Sequence, residues 1–429
     1  MLSAEDNELL TRTGAGTAMG ELFRRFWIPV LLAREIPEPD CPPVRVTVMG
    51  EDLLAFRDTG NRIGLVEPTC PHRGANLFFG RNEDCGIRCA YHGWKFDVDG
   101  NCMEIPTMAR DEGLRSRVGL TAYPAREWGD LVWAYMGPPE HQPELPEMDF
   151  ALVPPSHRFV TKKLQECNWA QSCEGALDTA HFSFLHTPLS VPEVPERHRN
   201  NILANATRWM KDDPMPVFDV IEHEAGLLLA ASRHADGDDL YWRVTQFLMP
   251  NHSLAPGAGR GDTFFGQTWV PIDDRSCWVY VYSWNPERPL TEKENHFIPG
   301  SATVHAEVDE HWVPIRNRSN DYLIDRVAQQ TTSFTGIQGI SEQDAAIQDS
   351  QGFIVDRTRE HLGPTDLGVV RFRRLVLEAA CALRSGIEPP AAAAPHAYRV
   401  RSGGAVAPGD RPVGDVLTER FGDLSGRVR

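Results

Sequence analysis

Residues 70–94 carry two short loops that each offer one cysteine and one histidine, Cys70-Pro71-His72 and Cys89-Ala90-Tyr91-His92. Four metal-ligating side chains in so short a span constrain the fold more than any other feature, because both loops must close on one site. The flanking sequence suits that demand. From Pro39 to Pro146, short β-type runs (Val44–Met49, Leu53–Phe56, Ile63–Val66, Leu131–Tyr135) alternate with Gly, Pro and Asp, the pattern of a small all-β domain. A zinc site would usually pair two cysteines on one loop and two histidines on the other. One of each per loop fits a [2Fe–2S] centre better, with two thiolates on one iron and two imidazoles on the other. Imidazole ligation raises the potential to roughly −150 to +300 mV, which makes such a centre an electron relay and not by itself a catalyst. Cys85, four residues before Cys89, reads as an idle thiol.

A relay needs a destination. Downstream, Glu174, Asp178 and His181 recur at i, i+4 and i+7, which would put them on one face of a helix over residues 165–186. His186 follows His181 by five residues, about 140° round a regular helix. The two imidazoles therefore converge only if the helix ends or widens between them, and Thr187-Pro188 disfavours its continuation. Two histidines and one carboxylate can occupy one face of a six-coordinate iron(II), leaving positions for O2 and for water or substrate.

With these residues in view, the chain resembles the oxygenase (alpha) subunit of the Rieske non-heme iron ring-hydroxylating oxygenases, up to about residue 385, and most of all their phthalate dioxygenase-like branch. Cys70-x-His72 with Cys89-x2-His92 matches the cluster motif. Glu174-x3-Asp178-x2-His181-x4-His186 matches the mononuclear-iron motif, except that the first position is often Asn elsewhere. The resemblance implies an α+β molecule: a small all-β Rieske [2Fe–2S] domain, and a catalytic domain with a curved antiparallel sheet covered by helices. It implies one [2Fe–2S] cluster and one mononuclear Fe(II) per chain, O2 as co-substrate, and a homo-oligomer, trimer or hexamer, with electrons crossing between subunits. The third iron ligand is expected on a helix far downstream, where Asp344 and Asp349 are candidates. The family pattern, a polar pair followed by the ligand aspartate with a further acidic residue five places on, favours Asp344, although Ser341-x-x-Asp344 also reads as a capping box. The family places the residue equivalent to Asp178 between an iron-ligand histidine and a cluster histidine of the neighbouring subunit, where it would orient both rings.

Composition narrows the partners. Of 429 residues, 43 are Lys or Arg and 60 Asp or Glu, a net charge of −17, which argues against nucleic acid held by phosphate contacts. No stretch approaches eighteen apolar residues, and the acidic start Met1–Asp6 is unlike a secretory signal, so the expectation is a cytoplasmic protein with no membrane span. Nine scattered cysteines argue against a disulfide framework. The glycine clusters at 14–16 and 257–261 do not form a dinucleotide-binding fingerprint, so electrons from NADH or NADPH are expected through a separate flavin/iron-sulfur reductase.

Strand alternation places Tyr241, Arg243, Thr245 and Phe247 on one face. An arginine among aromatics, facing a pocket, suits a carboxylate. Arg243 and, second, Arg208 are the candidate substrate residues, and an aromatic acid of the phthalate or benzoate type is the expected substrate. The rival readings are O-demethylation or ether cleavage of such an acid, and a non-catalytic electron carrier.

The expected division is a helical segment at 1–40, the Rieske domain at 41–150, the catalytic domain at 151–385 and a loosely held, low-complexity tail at 386–429. Pro138–Pro146 is the candidate linker. Strands are expected at Leu227–Arg233, Leu240–Met249, Asp262–Val270 and Cys277–Trp284, and helices within 289–350 and at Val370–Leu383.

Overall fold

The computed structural model describes residues 1–108, 113–191, 193–195, 201–256, 263–295 and 304–421. Two short helices open the chain, α1 (Ala4–Thr11) and α2 (Ala18–Phe23), capped by the side chains of Ser3 and Thr17. The segment 1–40 is not helical throughout, however. Strand β1 (Trp27–Leu32) is buried along its whole length. An unbroken apolar run carries no period of its own and cannot be told from a helix by pattern.

The β domain follows. Strands β2 (Val44–Val48), β3 (Glu51–Arg57) and β4 (Ile63–Val66) form one antiparallel sheet, and β5 (Arg81–Glu83), β6 (Gly86–Arg88), β7 (Lys95–Phe96) and β8 (Cys102–Glu104) a second. Strands β9 (Ala125–Trp128) and β10 (Leu131–Tyr135) join β1 in a third, in the order β1-β10-β9. Leu54, Phe56, Leu77, Ile87, Trp94 and Phe96 form the core around Cys70 and Cys89. The proline-rich stretch 138–146 runs back along β1, where Trp27 Nε1 donates to the Pro143 carbonyl at 2.8 Å.

After α3 (Asp149–Leu152) comes the larger sheet. Its elements are β11 (Arg158–Gln165), α4 (Trp169–Leu177), α5 (Ile202–Asp212), β12 (Val217–His223), β13 (Gly226–His234), β14 (Asp239–Leu248), β15 (His252–Ala255), β16 (Phe264–Pro271) and β17 (Cys277–Trp284). The strand order is β11-β17-β16-β15-β14-β13-β12, all antiparallel. Asp262, where one strand was expected to start, lies outside the described residues. The polar stretch 289–350 is only partly helical, as α6 (Glu292–Asn295), α7 (Arg326–Thr331), α8 (Ile340–Ser350) and a 3₁₀ turn at Arg318–Leu323, with 296–303 outside the described residues. Helix α9 (Leu367–Arg384) packs Phe372, Val376 and Ala380 into the core shared with α1, α2 and α4.

The tail is not loosely held as far as residue 421. Ala391, Ala394, Ala397 and Tyr398 are buried, and the Tyr398 hydroxyl donates to the Met249 carbonyl at 2.8 Å. Strand β18 (Gly403–Pro408) pairs with residues 239–244 of β14, while the short β15 pairs only with residues 246–248 of that edge. The tail thus covers backbone groups that would otherwise be an open edge. Helix α10 (Val413–Phe421) then seats Val416 and Leu417 on the outer face of β13 and β14. Residues 422–429 lie outside the described residues. Among those described, no helix is long and apolar enough to cross a membrane.

Candidate metal centres and active-site cavity

The two Cys/His loops have nearly the same backbone. The Cys70 carbonyl accepts from Gly74 N–H at 3.0 Å, and Cys70 N–H donates to the Ala75 carbonyl at 2.9 Å. The Cys89 carbonyl accepts from Gly93 N–H at 2.9 Å, and Cys89 N–H donates to the Trp94 carbonyl at 2.8 Å. Gly74 and Gly93 both sit at positive φ, +72° and +76°, a turn that costs glycine little. The rings of His72 and His92 meet edge to face, with centroids 4.5 Å apart, and His72 stacks on Trp94. Nδ1 of His72 is buried without a partner among the described residues. Burial, reinforced by the neighbouring Cys89, pushes the Cys70 thiol up to about 11, so a thiolate there needs cationic charge beside it. Two buried thiols, two adjacent imidazoles and an orphaned ring nitrogen fit a [2Fe–2S] cluster of mixed ligation.

The second group is built by a helix that stops early. Helix α4 begins on Asn168, whose side chain accepts from Ala170 N–H, and ends at Leu177 with Asp178 as its C-cap. Glu174, Asp178 and His181 therefore do not share one helical face. The chain turns at Thr179 into a 3₁₀ turn, Ala180–Ser183, and this break lets His181 and His186 converge, Nε2 to Nε2 at 3.1 Å. Asp344, on α8, brings Oδ1 to 3.1 Å from His186 Nε2 and 3.6 Å from His181 Nε2. Adjacent ligands of a six-coordinate ion with bonds of about 2.1 Å stand about 3 Å apart. These three atoms therefore suit three neighbouring positions on one face of an iron. His181, His186 and Asp344 form the one such group of three among the described residues.

The far sides of the imidazoles are held as well. His181 Nδ1 lies 3.2 Å from Asp178 Oδ2, and His186 Nδ1 lies 2.7 Å from Gln343 Oε1. Burial works against charge on Asp178, Asp344 and His186, yet their mutual contacts prevail: Asp178 and Asp344 sit below the usual carboxylate range and His186 above its ordinary value. The capping-box alternative for Asp344 fails because Gly339 is the N-cap of α8. Asp349 is also buried, but it accepts from Gln165 Nε2 at 2.6 Å and from the Tyr322 hydroxyl, away from the histidines.

Glu174 is a structural anchor. Its carboxylate accepts from Arg357 (Nε and Nη2, both 3.0 Å) and from Arg373 Nε at 2.7 Å, tying α4 to α9 and to the 3₁₀ turn at Arg357–Arg359. Burial would raise its pKa, but the two guanidiniums outweigh that and hold it below the ordinary value.

A cavity of about 70 Å³ opens beside the second group, lined by His181, Asp344, Phe182, Arg243, Ala255, Phe265, Gln267, Val304 and Ile340 among others. Its largely apolar walls with a few polar groups are those of a small-ligand site. Arg243 is 3% exposed, with its guanidinium over the Phe182 ring at 4.0 Å and Nη1 donating to the Pro256 carbonyl at 3.2 Å. Burial lowers its pKa. Arg208 does not line the cavity. Its Nη2 bonds both carboxylate oxygens of Asp236, at 2.9 and 2.8 Å, in the turn between β13 and β14, a partner the local sequence does not reveal. Gln343 and Arg233, which contacts Thr179, were not identifiable from sequence. The polar pair before Asp344 was the one available signal for Gln343.

Comparison with known proteins accords with this geometry. The family model described as the Rieske [2Fe-2S] domain matches residues 26–124, and that described as LigXa C-terminal domain like matches residues 134–409. The chain is 40% identical to the phthalate 4,5-dioxygenase oxygenase subunit of Pseudomonas putida, over 90% of this chain and 88% of that one. It is 37% identical to the 3-chlorobenzoate-3,4-dioxygenase oxygenase subunit of Comamonas testosteroni, over 88% and 89%. It is 32% identical to the 5,5'-dehydrodivanillate O-demethylase oxygenase subunit of a Sphingobium strain, over 91% and 83%. Solved structures of the same fold include NdmA of Pseudomonas putida CBB5 with caffeine (TM-score 0.58, 15% identity, covering 88% of this chain and 96% of that one). Dicamba monooxygenase bound to dicamba is another (TM-score 0.55, 16%, covering 85% and 99%). Oxygenase subunits of this kind carry a Rieske cluster and a mononuclear iron, use O2 and draw electrons from a separate reductase. Two metal-ligating constellations on this fold, with relatives this similar over nearly the whole chain, establish that the protein belongs to the Rieske non-heme iron oxygenases, as an oxygenase subunit.

Proposed function

We propose that the protein hydroxylates an aromatic carboxylate of the phthalate or benzoate type. The observation that carries this reading is Arg243: a buried guanidinium, backed by an aromatic ring, in the cavity that His181 and Asp344 also line. A carboxylate entering such a cavity loses its water, and only a close cation offsets that loss. The planar fork of Arg243 would also fix the ring's orientation, and so which carbons face the metal. The relatives named for phthalate and 3-chlorobenzoate support the same class.

In this reading Cys70, His72, Cys89 and His92 hold the cluster in the smaller domain. His181, His186 and Asp344 hold the iron in the larger one. Bound there, the iron would supply O2 activation and the cluster its electrons. Asp178 orients His181 through Nδ1 and, in a homotrimer or hexamer, would bridge it by a second hydrogen bond to a cluster histidine of a neighbouring subunit, the route by which electrons would arrive. Its half-buried carboxylate, and the exposed rings of Tyr91 near the cluster loops and of Phe184 and Phe334 near His186, support a contact between subunits. None of the nine cysteines, all of them among the described residues, is in a disulfide, which supports a reducing compartment, the cytoplasm.

The test is O2 uptake and product analysis with an NAD(P)H-driven reductase, across phthalate, benzoates, methoxybenzoates and their amides. Uptake that requires a free carboxylate and yields a ring diol is expected. A phenol plus formaldehyde from a methoxy acid alone would move the activity to demethylation, as in the O-demethylase relative. No uptake with any aromatic acid, with both metals loaded, would overturn the reading.

A further inference from the structure

Beyond the end of α4, Thr179 is 3% exposed and is the N-cap of the 3₁₀ turn that follows. A carbonyl oxygen has two lone pairs, and Arg233 supplies a donor from outside that turn: its Nη2 lies 2.7 Å from the Thr179 carbonyl and 3.3 Å from Thr179 Oγ1. The other end of the same peptide unit, Ala180 N–H, donates to Asp178 Oδ1 at 2.7 Å, while Asp178 Oδ2 faces His181 Nδ1. Because a peptide unit is planar and stiff, fixing its oxygen fixes its N–H. A continuous chain of contacts therefore runs from Arg233, through the Thr179–Ala180 peptide, to Asp178 and the His181 ring.

Holding an arginine there is costly. Arg233 is 1% exposed, and its Nε and Nη1 have no hydrogen-bond partners among the described residues. Burial, followed by repulsion from Arg243, lowers its pKa to about 10. Leu229 and Ala231, on the same face of β13, are apolar, so the sheet itself accepts aliphatic side chains there. Arg233 is also absent from the cavity lining, which leaves anion binding to Arg243. We propose that Arg233 is a positioning residue: by gripping the Thr179 carbonyl it sets the Asp178–His181 contact through which electrons reach the mononuclear site. This rests on the role given to Asp178 above.

The experiment compares Arg233→Leu, Arg233→Lys and Arg233→Gln with Asp178→Asn in the metal-loaded full chain. The reduced cluster is mixed with O2 and an accepted aromatic acid, and its reoxidation is followed by absorbance, with kcat and KM measured separately. Arg233→Leu should slow reoxidation and kcat on the order of 10²-fold, the scale of a small misplacement at a reacting centre. The KM for the acid should stay within about twofold, and the cluster spectrum should be unchanged. Lysine, which can still reach the carbonyl, should recover part of the rate. If the leucine variant does not fold, Arg233→Gln, whose polar but shorter side chain does not reach the Thr179 carbonyl, should show the slow reoxidation at unchanged KM. Wild-type reoxidation in the Arg233 variants, with Asp178→Asn slow, overturns this proposal alone. Wild-type reoxidation in Asp178→Asn as well overturns the electron route. A raised KM with unchanged reoxidation makes Arg233 a substrate ligand and equally overturns it.

Discussion

His186 donates from Nδ1 to Gln343 Oε1 at 2.7 Å, and Gln343 Nε2 in turn donates to the Ile337 carbonyl at 2.8 Å. An amide oxygen only accepts, so the proton is fixed on Nδ1 and the Nε2 lone pair is turned toward His181 and Asp344. Gln343→Ala should therefore weaken mononuclear iron binding by roughly 10–100-fold while the cluster is retained. Iron titration alongside the visible spectrum checks this. Wild-type iron affinity would show that Gln343 does not orient the ring.

Asp344 and Asp349 stand five residues apart on α8, and their variants should separate cleanly. Asp344→Ala should lose the mononuclear iron and all turnover while keeping the cluster colour. Asp349→Ala should keep the iron but unfold more easily, because Gln165 and Tyr322 lose their acceptor, at about 1–3 kcal/mol for each buried group left unpaired. Metal analysis and denaturant melts of both variants test this pair of outcomes.

Glu174 makes stability pH-dependent. Its carboxylate is held below its ordinary value by Arg357 and Arg373. A depressed folded-state pKa contributes stability that is present above the unfolded value, about 4.3, and lost as pH falls from there through the folded value. Glu174→Gln should lower stability at pH 7 by about 3–5 kcal/mol, the range for removing one partner of a buried ion pair. It should also flatten the acid limb of a plot of Tm against pH. A wild-type acid limb in the variant would remove Glu174 as its source.

What the sequence made legible follows from distance along the chain. The four residues proposed to hold the cluster, Cys70, His72, Cys89 and His92, lie on two loops whose glycines and prolines are local signals, so they could be read together. The pairing of His181 with His186 was legible as well, but the helical face proposed for Glu174, Asp178 and His181 was not. The stop at Leu177 carries no proline or glycine at that point, and its local mark is the Asp178 side chain, which leaves the helix pattern to accept from Ala180 N–H. Asp344 and Asp349 lie about 140° apart round their helix. Only the placement of α8 sends one to the histidines and the other to Tyr322. Alternation found Arg243, whereas Arg208 was captured by a turn carboxylate 28 residues away. The alanine- and proline-rich tail carries little periodicity, and nothing local in it announces that β18 completes the edge of β14.

Arg243→Ala should weaken apparent binding of an aromatic acid by about 2–5 kcal/mol, the range for truncating one partner of a buried charge pair, and leave binding of the amide nearly unchanged. Arg243→Lys keeps the charge without the fork and should bind more weakly and couple O2 use to product less well. Arg208→Ala should leave binding untouched, since its guanidinium is committed to Asp236. Steady-state kinetics on acid and amide decide. If both Arg243 variants bind the acid like wild type, the carboxylate is held elsewhere.

The most direct test of the whole account is a single turnover under ¹⁸O2. The protein, loaded with cluster and iron and reduced without oxygen, is mixed with labelled O2 and phthalate or a benzoate, and the quenched products are examined by mass spectrometry. The account predicts a red-brown protein whose cluster reoxidises as labelled ring-hydroxylated acid appears, with no product from His181→Ala or Asp344→Ala. A fully loaded, reducible protein that reoxidises without placing labelled oxygen in any aromatic acid would contradict it.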